Sequence, residues 1–355
     1  MNKNDKEEWT MLRMLSTLAL LLLASVACAP PAIKTTALMP AKFHEAAQLK
    51  EVAVLPFEGE RGREFSAEIE GVLASVNIGD KQYFSLVDRT KLDKVISEMK
   101  LSQSALVDSN TAAKVGKLVG AKGIYTGVVS ASDTSDSSYR EERTRCAYNV
   151  TKYDKKGRAY EECGKWQTYT VSCTRRNATF TFTPRLIEVE TGRIVYANNI
   201  SGTASSSACK DSKTPLAAPF ELIDRAKWVA KAQLKRDVAP YYVTFEIKLM
   251  DSTDGIASKE AEKKFEEGID YARGNRFDRA CELWGEARIL SPNTPSIIYN
   301  LGICSEVTGE LEQALDLYRK ADRAYGKPDD RITSALHRVS ETIQKQKKLK
   351  EQIGK

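Results

Sequence analysis

The sequence predicts an α/β domain followed by an all-α domain of helical repeats, both behind an N-terminal export signal. Short apolar strands alternate with amphipathic helices between residues 52 and 130, which is the order of an α/β layer. After residue 258, two successive segments match each other at a constant shift, which equals the period of a helical repeat. An uncharged apolar run, residues 15–26, ends just before a cysteine at position 28.

The first 28 residues are predicted to be a lipoprotein signal peptide. About twelve apolar residues are too few to cross a hydrocarbon core, but they suit the apolar region of an export signal. Basic and acidic residues cancel before that run, so a start at Met11 or Met14 suits the signal better than Met1. The small residues before Cys28 resemble a bacterial lipobox, which makes Cys28 the candidate for lipidation. An ordinary secretory signal with an incidental cysteine is the alternative.

Charge and composition argue against nucleic acid as a partner. The net charge is +6 over 355 residues, which is modest for this length. Basic and aromatic residues do not interleave along any one stretch of the chain. We therefore expect no nucleic-acid interface.

The cysteines beyond position 28 predict disulfide bonds. Their number is even, as expected of an exported protein in an oxidising compartment. They are Cys146, Cys163, Cys173, Cys209, Cys281 and Cys304. A zinc site of four thiolates is the alternative for the first four, but the C-x-x-C pairs typical of such sites are missing.

The pairing of these cysteines is not determined by the sequence. Strand geometry around the turn at 154–158 favours Cys146 near Cys173, without fixing the connectivity. Cys281 and Cys304 fall on neighbouring helices of the predicted repeats, which allows either a bridge or two buried thiols.

The predicted first domain spans residues 49–250, after a flexible tether at 29–48 that is rich in proline, alanine and lysine. Asp88 is expected to cap or orient the helix that follows the second strand. Residues 139–174 are densely charged before a turn and alternate after it, so they predict a projecting, cysteine-bearing hairpin. An alternating strand at 242–249 is expected to close the domain.

Two segments of this domain resemble a known family. They are Leu-Val-Asp-Arg-Thr-Lys-Leu-Asp-Lys-Val-Ile-Ser-Glu-Met at 86–99 and Ala-Ala-Lys-Val-Gly-Lys-Leu-Val-Gly-Ala-Lys-Gly-Ile-Tyr-Thr-Gly at 112–127. Together with the hairpin at 186–195, they resemble the curli-secretion lipoproteins (CsgG-like). They are also similar to the outer-membrane lipoprotein activators of cell-wall synthases (LpoB-like). The resemblance covers roughly residues 50–250 and implies the fold far better than the activity.

The curli-type relatives form a secretion pore from two membrane hairpins in each subunit, which this sequence does not support. A membrane strand needs about 9–11 residues with apolar groups at alternate positions. Charged residues occupy both faces of the first candidate hairpin, with Arg140 and Glu142 on one face and Glu141, Arg143 and Arg145 on the other. The second candidate segment, 201–215, is too short and has no apolar alternation. A pore is therefore the less favoured function.

The C-terminal part is predicted to hold two tetratricopeptide units within 258–328 and a capping helix at 329–355. The shift from Gly268 to Gly302 equals the shift from Ala280 to Ala314, and both equal the period of a tetratricopeptide repeat. Repeats of this kind commonly bind a peptide or helix on their concave face. The residues expected to line that face are Phe265, Ile269, Tyr299 and Ile303. A small helical domain that only docks within an assembly is the alternative.

The sequence gives no reason to expect an enzyme. Its two histidines, His44 and His337, fall in the tether and the capping helix, and no common nucleophile, phosphate-loop or metalloprotease motif occurs. We therefore expect no catalytic, cofactor-binding or metal-binding residue.

The predicted function is an outer-membrane, periplasm-facing lipoprotein that acts as an adaptor or assembly factor in an envelope complex. It would bind envelope proteins through the repeats and the membrane through lipid on Cys28, and it could form a homo-oligomer. Alanine rather than aspartate at position 29 favours the outer membrane. The alternatives are a curli-type secretion-channel subunit and an activator of a cell-wall synthase.

Overall fold

The computed structural model describes residues 31–354 except residue 103. Its chain divides into two compact units. One unit holds residues 38–241 together with the last nine residues, and the other holds the described residues up to 37 together with 242–346. We refer to them as the α/β unit and the helical unit.

The described strands and helices are as follows. The strands are β1 (Ala32–Met39), β2 (Glu51–Val54), β3 (Asn77–Ile78), β4 (Lys81–Gln82), β5 (Ser85–Leu86), β6 (Gly123–Tyr153), β7 (Ala159–Glu188), β8 (Ile194–Ala197), β9 (Ile200–Cys209) and β10 (Tyr241–Lys248). The helices are α1 (His44–Gln48), α2 (Gly62–Ala74), α3 (Arg89–Glu98), α4 (Ser109–Val119), α5 (Pro219–Val238), α6 (Lys259–Arg273), α7 (Phe277–Leu290), α8 (Pro295–Thr308), α9 (Leu311–Tyr325) and α10 (Asp330–Ile353).

A six-stranded mixed sheet forms the centre of the α/β unit, and this confirms the predicted α/β class. Its order is β5-β2-β6-β7-β8, and β9 also pairs with β7. Strand β2 is parallel to both of its neighbours, whereas β6, β7, β8 and β9 pair in antiparallel fashion.

Helices cover both faces of this sheet, which explains why residues 52–55, in and directly after β2, are all apolar. Val52 and Val54 belong to a core cluster with residues of α2 and α5, while Ala53 and Leu55 belong to a second cluster with residues of α3 and α4. A strand buried on both faces needs apolar residues at every position rather than at alternate ones.

Side-chain caps determine where α3 and α4 begin. The Asp88 carboxylate accepts the Lys91 N–H at 3.1 Å, which confirms its predicted capping role. Asp108 accepts the Thr111 N–H at 2.9 Å in the same way, so α4 begins at Ser109. These hydrogen bonds lower the pKa of both aspartates.

The helical unit repeats one packing contact at the interval predicted from the sequence. A Cβ placed on Gly268 would lie 2.4 Å from the Trp284 side chain, and one on Gly302 would lie 2.7 Å from Tyr318. The absence of a side chain at both glycines thus lets α6 approach α7, and α8 approach α9, in the same manner.

Residues 31–48 are ordered, although the sequence suggested a flexible tether there. Strand β1 pairs with β10, and the Leu249 N–H donates to the Pro31 carbonyl at 2.7 Å. Ile33 is buried in the helical core, and Ala46 and Ala47 of α1 are buried in the α/β unit. Proline and small residues suggested a tether, but backbone pairing and burial of these few apolar side chains order the segment.

The strand expected to close the first domain lies in the helical unit instead. Residues 242–248 of β10 pair with β1, and Ile247 and Leu249 belong to the core cluster of the helices. In the described part of the chain, no helix has both the length and the apolar character needed to cross a membrane.

Candidate interaction site on the β6–β7 ribbon

Strands β6 and β7 form a hairpin that continues well beyond the rest of the sheet. Their pairing runs from Gly123 opposite Glu188 to Tyr153 opposite Ala159. Strand β9 accompanies β7 only as far as Cys173. Residues 140–153 and 159–172, which we call the ribbon together with their turn, therefore form two strands about 46 Å long at about 3.3 Å per residue. This confirms the predicted hairpin, which starts earlier than expected, at Gly123.

An isolated two-stranded ribbon is marginally stable in water, and cross-links at its base compensate for this. The Cys173–Cys209 disulfide joins β7 to β9 where the ribbon begins. Asp211 then accepts hydrogen bonds from Arg143 at 2.8 Å and from Tyr169 at 2.7 Å. The bond to the Asp211 carboxylate raises the pKa of the Tyr169 hydroxyl. The base is thus held by a covalent link and by polar links.

The far end of the ribbon is also cross-linked. The Cys146–Cys163 disulfide connects the two strands, with a Cα–Cα distance of 5.6 Å. In the turn, Asp154 accepts the backbone N–H of Arg158 at 2.9 Å and that of Lys156 at 2.8 Å. These bonds, led by the one from Arg158, hold the pKa of Asp154 below its ordinary value. Gly157 supplies the positive φ, 77°, that the turn requires.

Three exposed aromatic side chains, those of Tyr148, Tyr160 and Trp166, lie near this end of the ribbon. A register irregularity at Gly164 interrupts the alternation of β7, so Tyr160 lies on the face of Tyr148, whereas Trp166, opposite Cys146, lies on the other face with the Cys146–Cys163 disulfide. A Cβ on Gly164 would meet the Tyr148 ring at 2.3 Å, so that ring packs over Gly164. The three side chains are 56%, 47% and 66% exposed, respectively.

The charged residues near these aromatic side chains fall into two groups. Lys152 pairs with Glu162 at 2.7 Å, and Arg158 pairs with Asp154 at 2.8 Å. A second group has exposed ammonium groups that pair with no side chain in the part of the chain that the structure describes. This group comprises Lys155, Lys156 and Lys165.

The ribbon edges are unpaired over a long distance. Beyond Val129, β6 pairs only with β7 among the described residues, which leaves its other edge free. Before Ser172, β7 likewise pairs only with β6 among the residues that the structure describes, so its outer edge is free. Rows of unpaired backbone N–H and C=O groups are ready to pair with another strand. The ribbon therefore has the features of an interaction site rather than of a catalytic one.

A comparison with protein families identifies the unit that carries this ribbon. Residues 67–212 match the model described as "Curli production assembly/transport component CsgG". The chain carries a CsgG-like domain. The match includes the whole β6–β7 hairpin and β9, and it ends before the helical unit. It confirms the CsgG-like part of the resemblance stated above.

Comparison with solved structures gives partial likenesses at low TM-scores. The LpoB C-terminal domain from Salmonella enterica is 13% identical, with 45% of this chain and 94% of that chain covered and a TM-score of 0.25. Lipoprotein GNA1162 from Neisseria meningitidis is 13% identical over 52% and 97% of the two chains, with a TM-score of 0.24. The PelC dodecamer from Paraburkholderia phytofirmans is 14% identical over 59% and 98%, with a TM-score of 0.22. The comparison with curated proteins found no match.

The cysteines of the CsgG-like domain form disulfides, but in a different pairing from the one favoured by the sequence. Cys146 bonds to Cys163 and not to Cys173, because a register irregularity after Cys146 brings Cys163 within reach. Cys173 lies directly opposite Cys209 on β9 and bonds to it. That strand was missed because residues 200–209 alternate small and polar side chains without an apolar face.

A potential ligand set at the ribbon base does not have free thiolates. Glu141, Cys173 and Cys209 have ligand atoms within 4.8 Å of one another. Both sulfurs are held in the disulfide, so neither is available as a metal-binding thiolate while the bond is intact.

In the helical unit, the four residues expected to line a concave partner groove are all buried. Phe265, Ile269, Tyr299 and Ile303 belong to the core cluster. They are inner-face positions of the predicted repeats, but another segment of the same chain covers that face. The segment 247–250 packs there with Ile247 and Leu249 buried. This corrects the prediction that these residues meet a partner.

Polar contacts hold the covering segment in place. The Asn300 amide accepts the Met250 N–H at 3.0 Å and donates to the Met250 carbonyl at 2.8 Å. The Tyr299 hydroxyl donates to the Lys248 carbonyl at 3.1 Å. Burial raises the pKa of Tyr299 to about 12. In the sequence, nothing distinguishes Tyr299 and Asn300 from polar residues that are exposed on a helix.

The remaining predicted positions are distributed as follows. Cys281 and Cys304 form a disulfide between α7 and α8, so they are not two buried thiols. His44 lies 3.4 Å from Glu351 and 3.1 Å from Gln48 in the α/β unit, and His337 is on α10 in the helical unit. Cys28 lies outside the described residues.

Proposed function

We propose that this protein is an outer-membrane-anchored periplasmic lipoprotein that acts as a non-enzymatic adaptor or assembly factor in an envelope complex. The observation that carries the proposal is the ribbon: a long, cross-linked pair of strands with free edges. Partner strands add to such edges through main-chain hydrogen bonds, and the alternate side chains select the partner. The match to a curli assembly and transport family supports an assembly-related role.

The membrane link is proposed to be lipid on Cys28. The apolar run at 15–26 and the small residues before the cysteine support it. Strand β1 begins at Ala32, only four residues further on. Four residues reach at most about 14 Å. A lipid on Cys28 would therefore hold the start of the fold close to the bilayer, rather than at the end of a long tether.

The helical unit is proposed to be a pair of tetratricopeptide repeats that hold envelope proteins in the same assembly. The packing of Gly268 on Trp284 recurs as that of Gly302 on Tyr318, one repeat period later, which supports this identity. Because the chain itself fills the face that α8 presents, a partner of this unit would bind the outer surfaces of the helices. The ribbon is the better candidate for the main partner site.

Affinity capture tests the adaptor role. Glu141 lies directly opposite Val171, so a two-residue Asn-Gly turn can join them and remove the ribbon beyond that pair. The full chain, extracted in mild detergent, should recover envelope proteins, and the shortened chain should lose them. Unchanged melting of the shortened chain is the control for its fold. Recovery of the protein alone, or of the same partners by both chains, would contradict the proposal.

A secretion-channel subunit is the second candidate, since the family match and the length of the hairpin both favour it. Each strand exceeds the roughly 9–11 residues that a membrane strand needs. However, Arg140 and Glu142 on one face and Glu141 and Arg143 on the other leave no lipid-compatible surface. Heat-resistant rings in detergent together with conductance in planar bilayers would support a channel. A strictly monomeric, soluble Cys28→Ser chain would exclude it.

A further inference from the structure

Between the helix-covered part of the sheet and the ribbon, β6, β7 and β9 form a three-stranded layer with β7 in the middle. Phe180 and Phe182 of β7 are buried on one face, in the core cluster that includes residues of α5. Side chains alternate between the two faces of a strand, so Asn177 and Thr179 lie on the other face. Helices α3 and α4 cover that face at Ile187, but further along the strand its side chains are partly or fully exposed.

The register of the three strands arranges these exposed side chains in rows. Each row holds one residue from β6, one from β7 and one from β9, directly opposite one another. The odd-numbered residues of 131–137, 175–181 and 201–207 make up this surface, which we call the polar face. Its two central rows are Asp133, Thr179 and Thr203, and Ser135, Asn177 and Ser205. Neighbouring strands are about 4.8 Å apart, and successive rows are about 6.8 Å apart.

The polar face has little charge and no large apolar side chain. Its charged residues are Asp133 and Arg175, which cancel, and its apolar residue is Ala131. The centre of a protein–protein interface usually holds large apolar anchors, and a polyanion requires several cations. The polar face offers neither. Its composition and its flat surface of short side chains therefore complement an extended, uncharged and polar ligand.

Most hydrogen-bonding groups of the polar face are free. Thr181 bonds to Ser201 at 3.0 Å, and the Ser137 hydroxyl donates to the Arg175 carbonyl at 3.4 Å. The side chains of the two central rows make no hydrogen bond or ion pair with another residue that the structure describes. Hydroxyl and carboxamide groups both donate and accept. A matching ligand must therefore donate and accept along its whole length, as the hydroxyl groups of a sugar chain do.

An aromatic ring borders the polar face on the side of the ribbon. Tyr139 is the next residue of β6 on this face, and the Arg175 guanidinium lies 5.4 Å from the centroid of its ring. This contact holds the ring in place beside the polar groups. The ring supplies an apolar surface against which the C–H groups of a sugar can pack.

We propose that the polar face binds an extended, uncharged glycan of N-acetylated hexosamines. The sugar hydroxyls bond to the hydroxyl groups of the central rows. The Asn177 carboxamide pairs with an acetamido group, since each of the two groups has a carbonyl oxygen and an N–H to exchange. The sheet holds these short side chains at fixed spacings, so little conformational entropy is lost on binding. This inference goes beyond the proposed adaptor role and does not depend on the ribbon.

Titration calorimetry tests the proposal with the purified Cys28→Ser chain, which cannot carry lipid at that position. The probe is chitohexaose, a soluble β-linked oligomer of N-acetylglucosamine. Cellohexaose, which has the same linkage but no acetamido group, is the matched ligand control. We expect chitohexaose to bind, and cellohexaose to bind more weakly. Asn177→Ala removes two hydrogen bonds to the acetamido group and should weaken chitohexaose binding about 30-fold, from about fivefold for each neutral hydrogen bond.

A second variant blocks the polar face without removing a buried side chain. Thr203→Arg places a long charged side chain at an exposed position of the central rows and should abolish chitohexaose binding. The matched control is Thr170→Arg, which makes the same change at an exposed position on the opposite face of β7 and should leave binding unchanged. Equal melting temperatures of the two variants show that both chains are folded.

Sedimentation with purified cell-wall sacculi identifies the source of the glycan. Co-sedimentation that Thr203→Arg abolishes supports the backbone of the cell wall as the ligand. Binding of chitohexaose without co-sedimentation supports a polysaccharide outside the wall.

Absence of chitohexaose binding, or equal binding by the Thr203→Arg and Thr170→Arg chains, would overturn the proposal. So would the loss of a captured protein, in place of the glycan, from the Thr203→Arg chain. Because these assays contain only the purified chain and purified sugars, their failure leaves the capture experiment above unaffected.

Discussion

Gln352, near the C-terminus, is predicted to be essential for the stability of the α/β unit. Its side chain is fully buried, although it follows a run of exposed lysines. The amide oxygen accepts the Ala41 N–H at 2.8 Å, and the amide nitrogen donates to the Ala41 carbonyl at 3.3 Å. The neighbouring Ile353 packs against the core of the same unit. The last turn of α10 is therefore part of this fold.

The cost of Gln352→Ala follows from the groups it leaves behind. Ala41 is buried, so both of its main-chain groups would lose a partner without gaining water. An unsatisfied buried polar group costs about 1–3 kcal/mol, which gives about 2–6 kcal/mol for the pair. For a unit of about 210 residues, each kcal/mol lowers the melting temperature by about 2–4 °C. We therefore expect a decrease of about 4–24 °C.

Gln344→Ala is the matched control for this substitution. Gln344 lies on the same helix, is exposed and makes no side-chain hydrogen bond to another described residue. Its replacement should change the free energy of unfolding by less than about 0.5 kcal/mol. Calorimetry gives the melting temperatures, and hydrogen exchange followed at the Ala41 amide reports the contact itself.

Equal stability of the Gln352→Ala and Gln344→Ala chains would refute this reasoning. Continued protection of the Ala41 amide in the Gln352→Ala chain would refute it as well, since the acceptor for that amide would be absent.

Three further predictions concern the helical unit. Replacing Cys281 and Cys304 with serine should lower the free energy of unfolding by about 3 kcal/mol, since the bridge spans 23 residues; an unchanged urea midpoint would contradict this. Asn300→Ala removes both hydrogen bonds to the segment that covers α8 and should cost about 2–6 kcal/mol. Slow hydrogen exchange of the amides at 247–250 in the Asn300→Ala chain would contradict this prediction. Glu306→Ala leaves the Arg338 guanidinium, whose side chain is only 16% exposed, without its carboxylate and should cost about 3–5 kcal/mol by calorimetry, and a stable variant would be inconsistent with this pairing.

Local patterns predicted the elements that are stabilised by local interactions. The apolar run at Val52–Leu55 and the cap at Asp88 depend on neighbouring residues, and the structure has both. The shift from Gly268 to Gly302 marks a packing contact made by each helix pair on its own. Such features are visible because the residues that cause them are close in sequence.

Contacts between distant segments were not predictable in this way. Gln352 contacts Ala41 across 311 positions, and no periodic pattern signals that contact. The Cys173–Cys209 bond depends on the register of β9, whose small and polar side chains lack an apolar face. The apolar face of α8 was correctly identified, but what covers it depends on a segment some 50 residues earlier. Apolar spacing shows which face is buried, not what buries it.

Site-specific photocrosslinking in growing bacteria tests the central claim, that the ribbon holds an envelope partner, most directly. A photoreactive residue replaces Glu142, which is exposed on the ribbon, or Gln344, which is exposed on α10. The account predicts a crosslink to an envelope protein from position 142 and none from position 344. No crosslink from position 142, or the same product from both positions, would contradict it.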